Sequence, residues 1–206
     1  MTRLDVDPTT YYRAATNCFD AAAALRDSFL YVFGELSASG SMAGVDQEGQ
    51  QWARSYDTAA YQIVGLFQDV HSTLNAYGSV LKDIGFNHAG ADASMKGTPQ
   101  PERPVDPGSP VFGPYSIPAS AGGPGQGIID NGIDIASEIG IPVPDGDTGK
   151  LAKAADAWDR LGTIYQNTNA RDKITISATL FDGVTSPDAT HIREDLKPCR
   201  TPSISY

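Results

Sequence analysis

Residues 40–57 read G-S-M-A-G-V-D-Q-E-G-Q-Q-W-A-R-S-Y-D. Three glycines, a tryptophan and a Tyr-Asp pair have the composition of a reactive loop, but long apolar stripes flank them on both sides. Upstream, Tyr12, Ala15, Phe19, Ala22, Leu25, Phe29, Val32 and Leu36 recur at spacings of three and four. That period places them on one face of a helix over residues 8–38. Asp7-Pro8 opens this helix, because proline at the first helical position forfeits no hydrogen bond, and Ser39-Gly40 closes it. Downstream, Trp52, Tyr56, Ala59, Ile63, Leu66, Val70, Leu74, Tyr77, Leu81 and Ile84 follow a near-heptad spacing. Asp46 is the expected cap of this second helix and Gly85 its expected end. Two such stripes joined by a short turn predict a long antiparallel helical hairpin. Residues 40–57 are then its corner, set by Gly40, Gly44 and Gly49, with Trp52, Tyr56 and Asp57 beside the turn.

Phe33, Phe67, Tyr61 and Val80 lie next to the main stripes and widen them, so the hairpin calls for a further layer. The rest of the chain does not continue the period at once. Ten of the 14 prolines fall between Pro99 and Pro144. P-Q-P-E-R-P-V-D-P-G-S-P-V-F-G-P at 99–114 is expected to be extended, and S-A-G-G-P-G-Q-G at 120–127 flexible. Ile128–Ile141 fits either a short helix or an extended segment. A third helix opens at D-G-D-T-G-K-L-A-K-A-A-D-A-W-D-R-L, with Asp147 as cap and Leu151, Ala154, Ala155, Trp158, Leu161 and Tyr165 as its apolar face. It is expected to run to about Phe181. Ser186-Pro187 starts a short fourth helix through Ala189, Ile192 and Leu196. The domains predicted are a hairpin at 1–88, a Pro/Gly-rich linker at 89–144, and a second, incomplete helical module at 145–206 that packs as a helix bundle. The fold class is mainly α.

The chain has 206 residues and a formal net charge of −10, with a sequence pI near 4.5. Binding to nucleic acid requires a cationic surface that displaces counterions, so that class is excluded. No stretch reaches the roughly 18 apolar residues that a membrane span requires. The N-terminal M-T-R-L-D-V-D-P-T-T lacks the apolar core of a secretory signal peptide. The two cysteines, Cys18 and Cys199, lie at opposite ends of the chain, and Cys18 reads as a small buried hydrophobe.

Catalytic motifs are not completed. Gly122–Gly127 follows no strand and is interrupted by Pro124. D-G-D-T-G-K at 145–150 lacks the upstream glycine of a P-loop, and Asp145 with Asp147 lacks the later ligands of a calcium loop. His71, His88 and His191 are scattered, and His191 with Glu194 reads as a solvated helical pair. No cofactor, no metal and no enzymatic activity are expected.

The corner G-S-M-A-G-V-D-Q-E-G-Q-Q-W-A-R-S-Y-D-T-A-A and the later P-D-G-D-T-G-K-L-A-K-A-A-D-A-W-D-R-L together resemble a known family. It is the WXG-type helical-hairpin group of type VII (ESX-like) secretion substrates in actinobacteria, and within it the N-terminal modules of polymorphic toxins. The resemblance covers residues 8–88 and about 142–196. Trp52 is followed by Ala53-Arg54, so a strict Trp-x-Gly is missing. The resemblance implies a non-catalytic export-targeting or adaptor region. Its partner would be a small WXG-type helical protein or a second copy of the chain, with the secretion ATPase as a further contact. It implies a protein that is cytoplasmic before export, then secreted or held at the cell surface without a signal peptide. The family's tag, a tyrosine with an acidic residue four places on, matches Tyr31 with Glu35. The residues expected to dock the partner are Phe19, Phe29, Phe33, Trp52, Ile63, Phe67 and Leu74, and the second motif rests on Asp147, Leu151, Trp158 and Leu161. The tail from Lys197 has no counterpart in the family pattern, which fits a truncated or separately encoded front end. The competing expectation is a cytoplasmic structural or self-assembling helical protein that is not exported.

Overall fold

A computed structural model describes residues 6–108, 110–122 and 145–197. Ile128–Ile141 and Cys199 lie outside them. The described residues are mainly α-helical, in five helices: α1 (Pro8–Leu36), α2 (Gln47–Lys96), α3 (Thr148–Thr163), α4 (Tyr165–Leu180) and α5 (Ala189–Asp195). Asp7 opens α1 as expected, its carboxylate accepting from Thr9 N at 2.9 Å. Asp46 likewise caps α2, accepting from Gly49 N at 2.7 Å.

Two helix ends differ from the expectation. Gly85 does not terminate α2. It is buried inside the helix where the Tyr11 side chain seats, and a Cβ there would lie 2.9 Å from Tyr11 Cβ. The stop is Gly97, with φ +65°, followed by Thr98 N donating to Ala93 O at 3.0 Å. This is the left-handed C-terminal cap that glycine favours. The expected long third helix breaks at Ile164, whose extended ψ of 138° separates α3 from α4.

The chain forms two compact units. Unit 1 takes residues 1–25, 70–111 and 165–206, and unit 2 takes residues 26–69 and 112–164. In unit 1, Tyr11, Ala14, Ala15, Cys18 and Phe19 of α1 and Leu81 of α2 pack with Ala178, Phe181, Ala189, Ile192 and Leu196 of the α4–α5 region. Phe19 meets Gly78 and Tyr11 meets Gly85, so α1 and α2 run antiparallel here. The Tyr11 hydroxyl lies 2.9 Å from both Ser186 Oγ and Asp188 Oδ2. Burial pushes this phenol up to about 12 and the Cys18 thiol also up to about 12, so Cys18 is an inert core residue. His191 and Glu194 are both exposed, as a solvated pair should be.

The described residues of the proline-rich stretch form neither helix nor strand, and within each unit they lie against α2. In unit 1, Lys82 Nζ donates to Val105 O at 2.6 Å and sits 5.1 Å from the centre of the Phe19 ring. Asp106 accepts from Ser79, and Arg103 bridges Asp83 and Asp106. In unit 2, Phe112, Tyr115 and Ile117 join Phe29, Phe33, Ala60, Val64 and Phe67 in one cluster. Prolines cannot supply a ladder of donors, so the segment is held by side-chain bonds and apolar anchors. A second cluster in unit 2 packs α3 residues Ala154, Ala157 and Leu161 on Val32, Leu36 and Met42. The layer that the hairpin's wide apolar surface demands is therefore supplied, in unit 2, by α3 and by residues 112–117.

Candidate functional site

The corner between α1 and α2 belongs to unit 2, where three stretches of chain converge. Ser41 N and Ala43 N donate to Ala119 O and Ser120 O at 3.0 and 2.9 Å, and Gly122 N donates to Gly44 O at 3.0 Å. Asp147 N donates to Met42 O at 2.8 Å. Asp145 Oδ1 accepts from Val45 N at 2.8 Å and from Asp46 N at 3.3 Å, while Asp145 N donates back to Asp46 Oδ2 at 3.2 Å. The corner at 40–57 and the start of the stretch 145–161 are thus joined in one structural element. Gly44 and Gly49 make it possible. Gly44 has φ +81°, and a Cβ on it would fall 1.9 Å from Asp145 Oδ1; a Cβ on Gly49 would fall 2.1 Å from Ala43 O. Gly40 lies against Pro118, and its carbonyl accepts from Lys150 Nζ at 3.0 Å.

Asp57 accepts from Ser120 N at 3.1 Å and so ties α2 to the returning segment. Asp147 caps α3 by accepting from Lys150 N at 2.9 Å. Trp158 Nε1–H donates to Tyr56 OH at 3.0 Å, and Trp52 stacks on Tyr56 with ring centres 5.0 Å apart. Leu151 and Trp158 border the cluster formed with Leu161. Trp52, on the predicted apolar stripe and among the residues expected to dock a partner, is 44% exposed.

The other residues expected to meet a partner are placed differently from one another. In unit 2, Phe29 is fully buried, with ring centres 5.5 Å from Phe33 and Phe67, 4.9 Å from Phe112 and 5.3 Å from Tyr115. Phe33, Ile63 and Phe67 are half-buried against the same clusters. In unit 1, Phe19 is buried in the core and Leu74 lines a small apolar groove with Leu25, Val70 and Ile174. Open on α2 in unit 2 are Tyr61, whose hydroxyl donates to Ile117 O, and a stripe at seven-residue spacing, Trp52, Ala59 and Leu66, with Leu66 60% exposed. On the sequence stripe Trp52, Ala59 and Leu66 look the same as their half-buried neighbours Tyr56 and Ile63, because period alone does not say which side a later helix covers; the buried positions of α2 here are Ala53, Ala60 and Val64. Tyr31 is 59% exposed, and Glu35 is paired with Arg160 of α3.

Among the described residues no group of three His, Cys, Asp or Glu side chains is placed to hold a metal ion, and no helix is long and apolar enough to cross a membrane. At the corner the exposed apolar groups Val45 and Trp52 stand beside exposed polar ones, Gln47, Glu48 and Gln51, while Asp46 and Asp147 are engaged in capping.

No family model and no solved structure matches the chain. It is 30% identical over 167 residues to the Mav protein of Mycobacterium avium strain 104, whose name describes an NAD(+)–arginine ADP-ribosyltransferase. It is 31% identical over 167 residues to the outer membrane channel protein CpnT of Mycobacterium bovis strain BCG Pasteur and of Mycobacterium tuberculosis strain H37Rv. Each match covers 80% of this chain and 20% of the relative. The chain is a homologue of the N-terminal regions of these long mycobacterial proteins and spans about a fifth of their length.

Proposed function

We propose that this chain is the non-catalytic N-terminal targeting region of a secreted, toxin-type protein, exported by a type VII (ESX-like) route. The observation that carries this reading is the match to the front fifth of relatives named for a channel and a transferase. A region shared by proteins with such different names fits delivery better than either activity. The sequence division into a hairpin at 1–88, an intervening stretch at 89–144 and a helical module at 145–206 follows the same reading. Its residues contact one another across all three parts within each unit.

Docking of a small WXG-type helical protein would use the face of α2 that the chain leaves open, centred on Trp52, Ala59 and Leu66, with Tyr56 and Ile63 beside it. A stripe with this spacing accepts the ridge of a second helix. Phe29, Phe33 and Phe67 are already engaged by Phe112 and Tyr115. A charge at Ile63 or Phe67 would therefore damage the fold as well as any interface. Leu66→Asp is the cleaner variant. It is expected to abolish a heterodimer, measured as mass in solution after co-expression with a WXG-type protein, and to leave the helical content unchanged. Normal heterodimerisation of Leu66→Asp would remove this face from the interface. Release into culture filtrate that depends on the secretion ATPase tests export itself.

The second reading, a helical protein that stays in the cytoplasm, is favoured by the same self-covered cluster, since a chain that closes its own seam needs no partner to fold. A monomer indifferent to WXG-type proteins and absent from culture filtrate would favour it.

A further inference from the structure

At the corner of unit 2, Ala43, Gly49, Trp52 and Leu151 line an open cavity of about 330 Å³ together with Asp46 and Glu48. Ligand pockets run from about 300 to 1,000 Å³, so this one is sized for a single long side chain. Its aromatic wall is fixed in advance. The Trp52 ring lies within 17° of parallel to Tyr56, and Tyr56 is held by Trp158. An exposed indole immobilised on one face loses little freedom when something stacks on the rest of it.

The charge around the cavity selects the occupant. Backbone hydrogen bonding, chiefly from Gly49 N–H, holds the Asp46 carboxyl below the usual range, so it is ionised. Asp46 and Asp145 accept from backbone N–H groups, and among the described residues no lysine, arginine or histidine forms an ion pair with Asp46, Glu48 or Asp145. An anion would find the starts of α2 and α3 already capped by Asp46 and Asp147. A neutral apolar group would fill the floor and leave the carboxylate charge unanswered. A planar cation on an aliphatic stem meets all three features: stem against Leu151, charge over the indole, donors toward the carboxylates.

We propose that this cavity receives an arginine side chain carried by a partner protein. The identity of that partner rests on the docking reading above, but the cavity's preference for a guanidinium does not. The full chain contains only two tryptophans, so its indole N–H region holds two signals. Titrating the labelled protein with N-acetyl-arginine amide is expected to move the Trp52 signal saturably and more than that of Trp158. N-acetyl-norleucine amide, with a comparable stem and no charge, is expected to bind about tenfold more weakly. Glu48→Lys, at an exposed position with no hydrogen bond to lose, is expected to weaken the arginine probe several-fold, with the Trp158 signal confirming an intact fold. Equal binding of norleucine amide, indifference to Glu48→Lys, or no saturable shift would overturn the proposal. An indole of Trp52 shielded from iodide quenching by another part of the chain would do the same. A chain that takes the arginine probe but no WXG-type protein would leave the cavity standing and remove the docking reading.

Discussion

In unit 1 the groove between α1 and α2 is closed by helix, with α4 and α5 bringing small and aliphatic residues onto Ala14, Ala15 and Cys18. In unit 2 the corresponding surface carries phenylalanines. It is closed partly by α3 and partly by an extended segment whose Phe112 and Ile117 are buried among them. Small residues let helices approach closely, whereas large rings leave irregular gaps that an extended chain can fill without matching a helical period. Each cover brings a polar fastening with it, Tyr11 with Ser186 and Asp188 in unit 1 and Trp158 with Tyr56 in unit 2. Each also leaves apolar groups open, Val80 and Ile176 in unit 1 and Trp52, Tyr61 and Leu66 in unit 2.

If the extended segment is core in the same sense as a helix, Phe112→Ala in unit 2 and Phe181→Ala in unit 1 should each cost about 3–5 kcal/mol in denaturant unfolding. Both rings are more than nine-tenths buried. A loss below about 1 kcal/mol for Phe112 alone would make the extended cover an ornament on a helical core. Next in size is the corner. Gly44→Ala forces a side chain into a positive-φ position filled by Asp145, and should destabilise by at least about 1–3 kcal/mol. Unfolding that matches the parent protein would show that Asp145 can move away freely.

The fastening of unit 1 makes a smaller claim. Tyr11→Phe removes the hydroxyl shared by Ser186 and Asp188 while keeping the ring, and should cost about 1–2 kcal/mol by thermal or denaturant unfolding. The smallest expected effect is with pH. Burial alone would raise the Asp188 carboxyl, but hydrogen bonds from Ser186 and Tyr11 outweigh it and hold the group below its ordinary range. A depressed carboxyl stabilises the fold above its unfolded value of about 3.9 and loses that contribution as pH falls through the folded value. Stability should therefore decline on acidification below about pH 4, and Asp188→Asn should flatten that decline. An unchanged slope in the variant would assign the acid sensitivity to other carboxylates.

Much of this was legible in the sequence because helical period and caps are local. Asp7, Asp46 and Asp147 sit where short polar side chains satisfy the first free N–H groups of a helix, and all three do so. Gly85 shows the limit of local reading. As a residue type it resembles a stop, and only the ring of Tyr11 pressed against it gives it another use. Ile164 shows the converse, a break with neither glycine nor proline at the residue itself. The site was less legible than the fold. Phe29 and Trp52 both lie on apolar helical stripes, yet one is sealed under Phe112 and the other stands open.

By itself the sequence determined that the chain is mainly helical and where α1, α2 and α3 begin. These follow from dihedral preferences, capping and composition, which act within a few residues. Only the tertiary structure decided that residues 112–117 lie on the hairpin and that Asp145 locks the corner around Gly44. It also decided which part of a continuous apolar stripe stays in contact with solvent. Burial is a property of what comes to lie on a surface, and the segments that cover this one in unit 2 are 45 or more residues away along the chain.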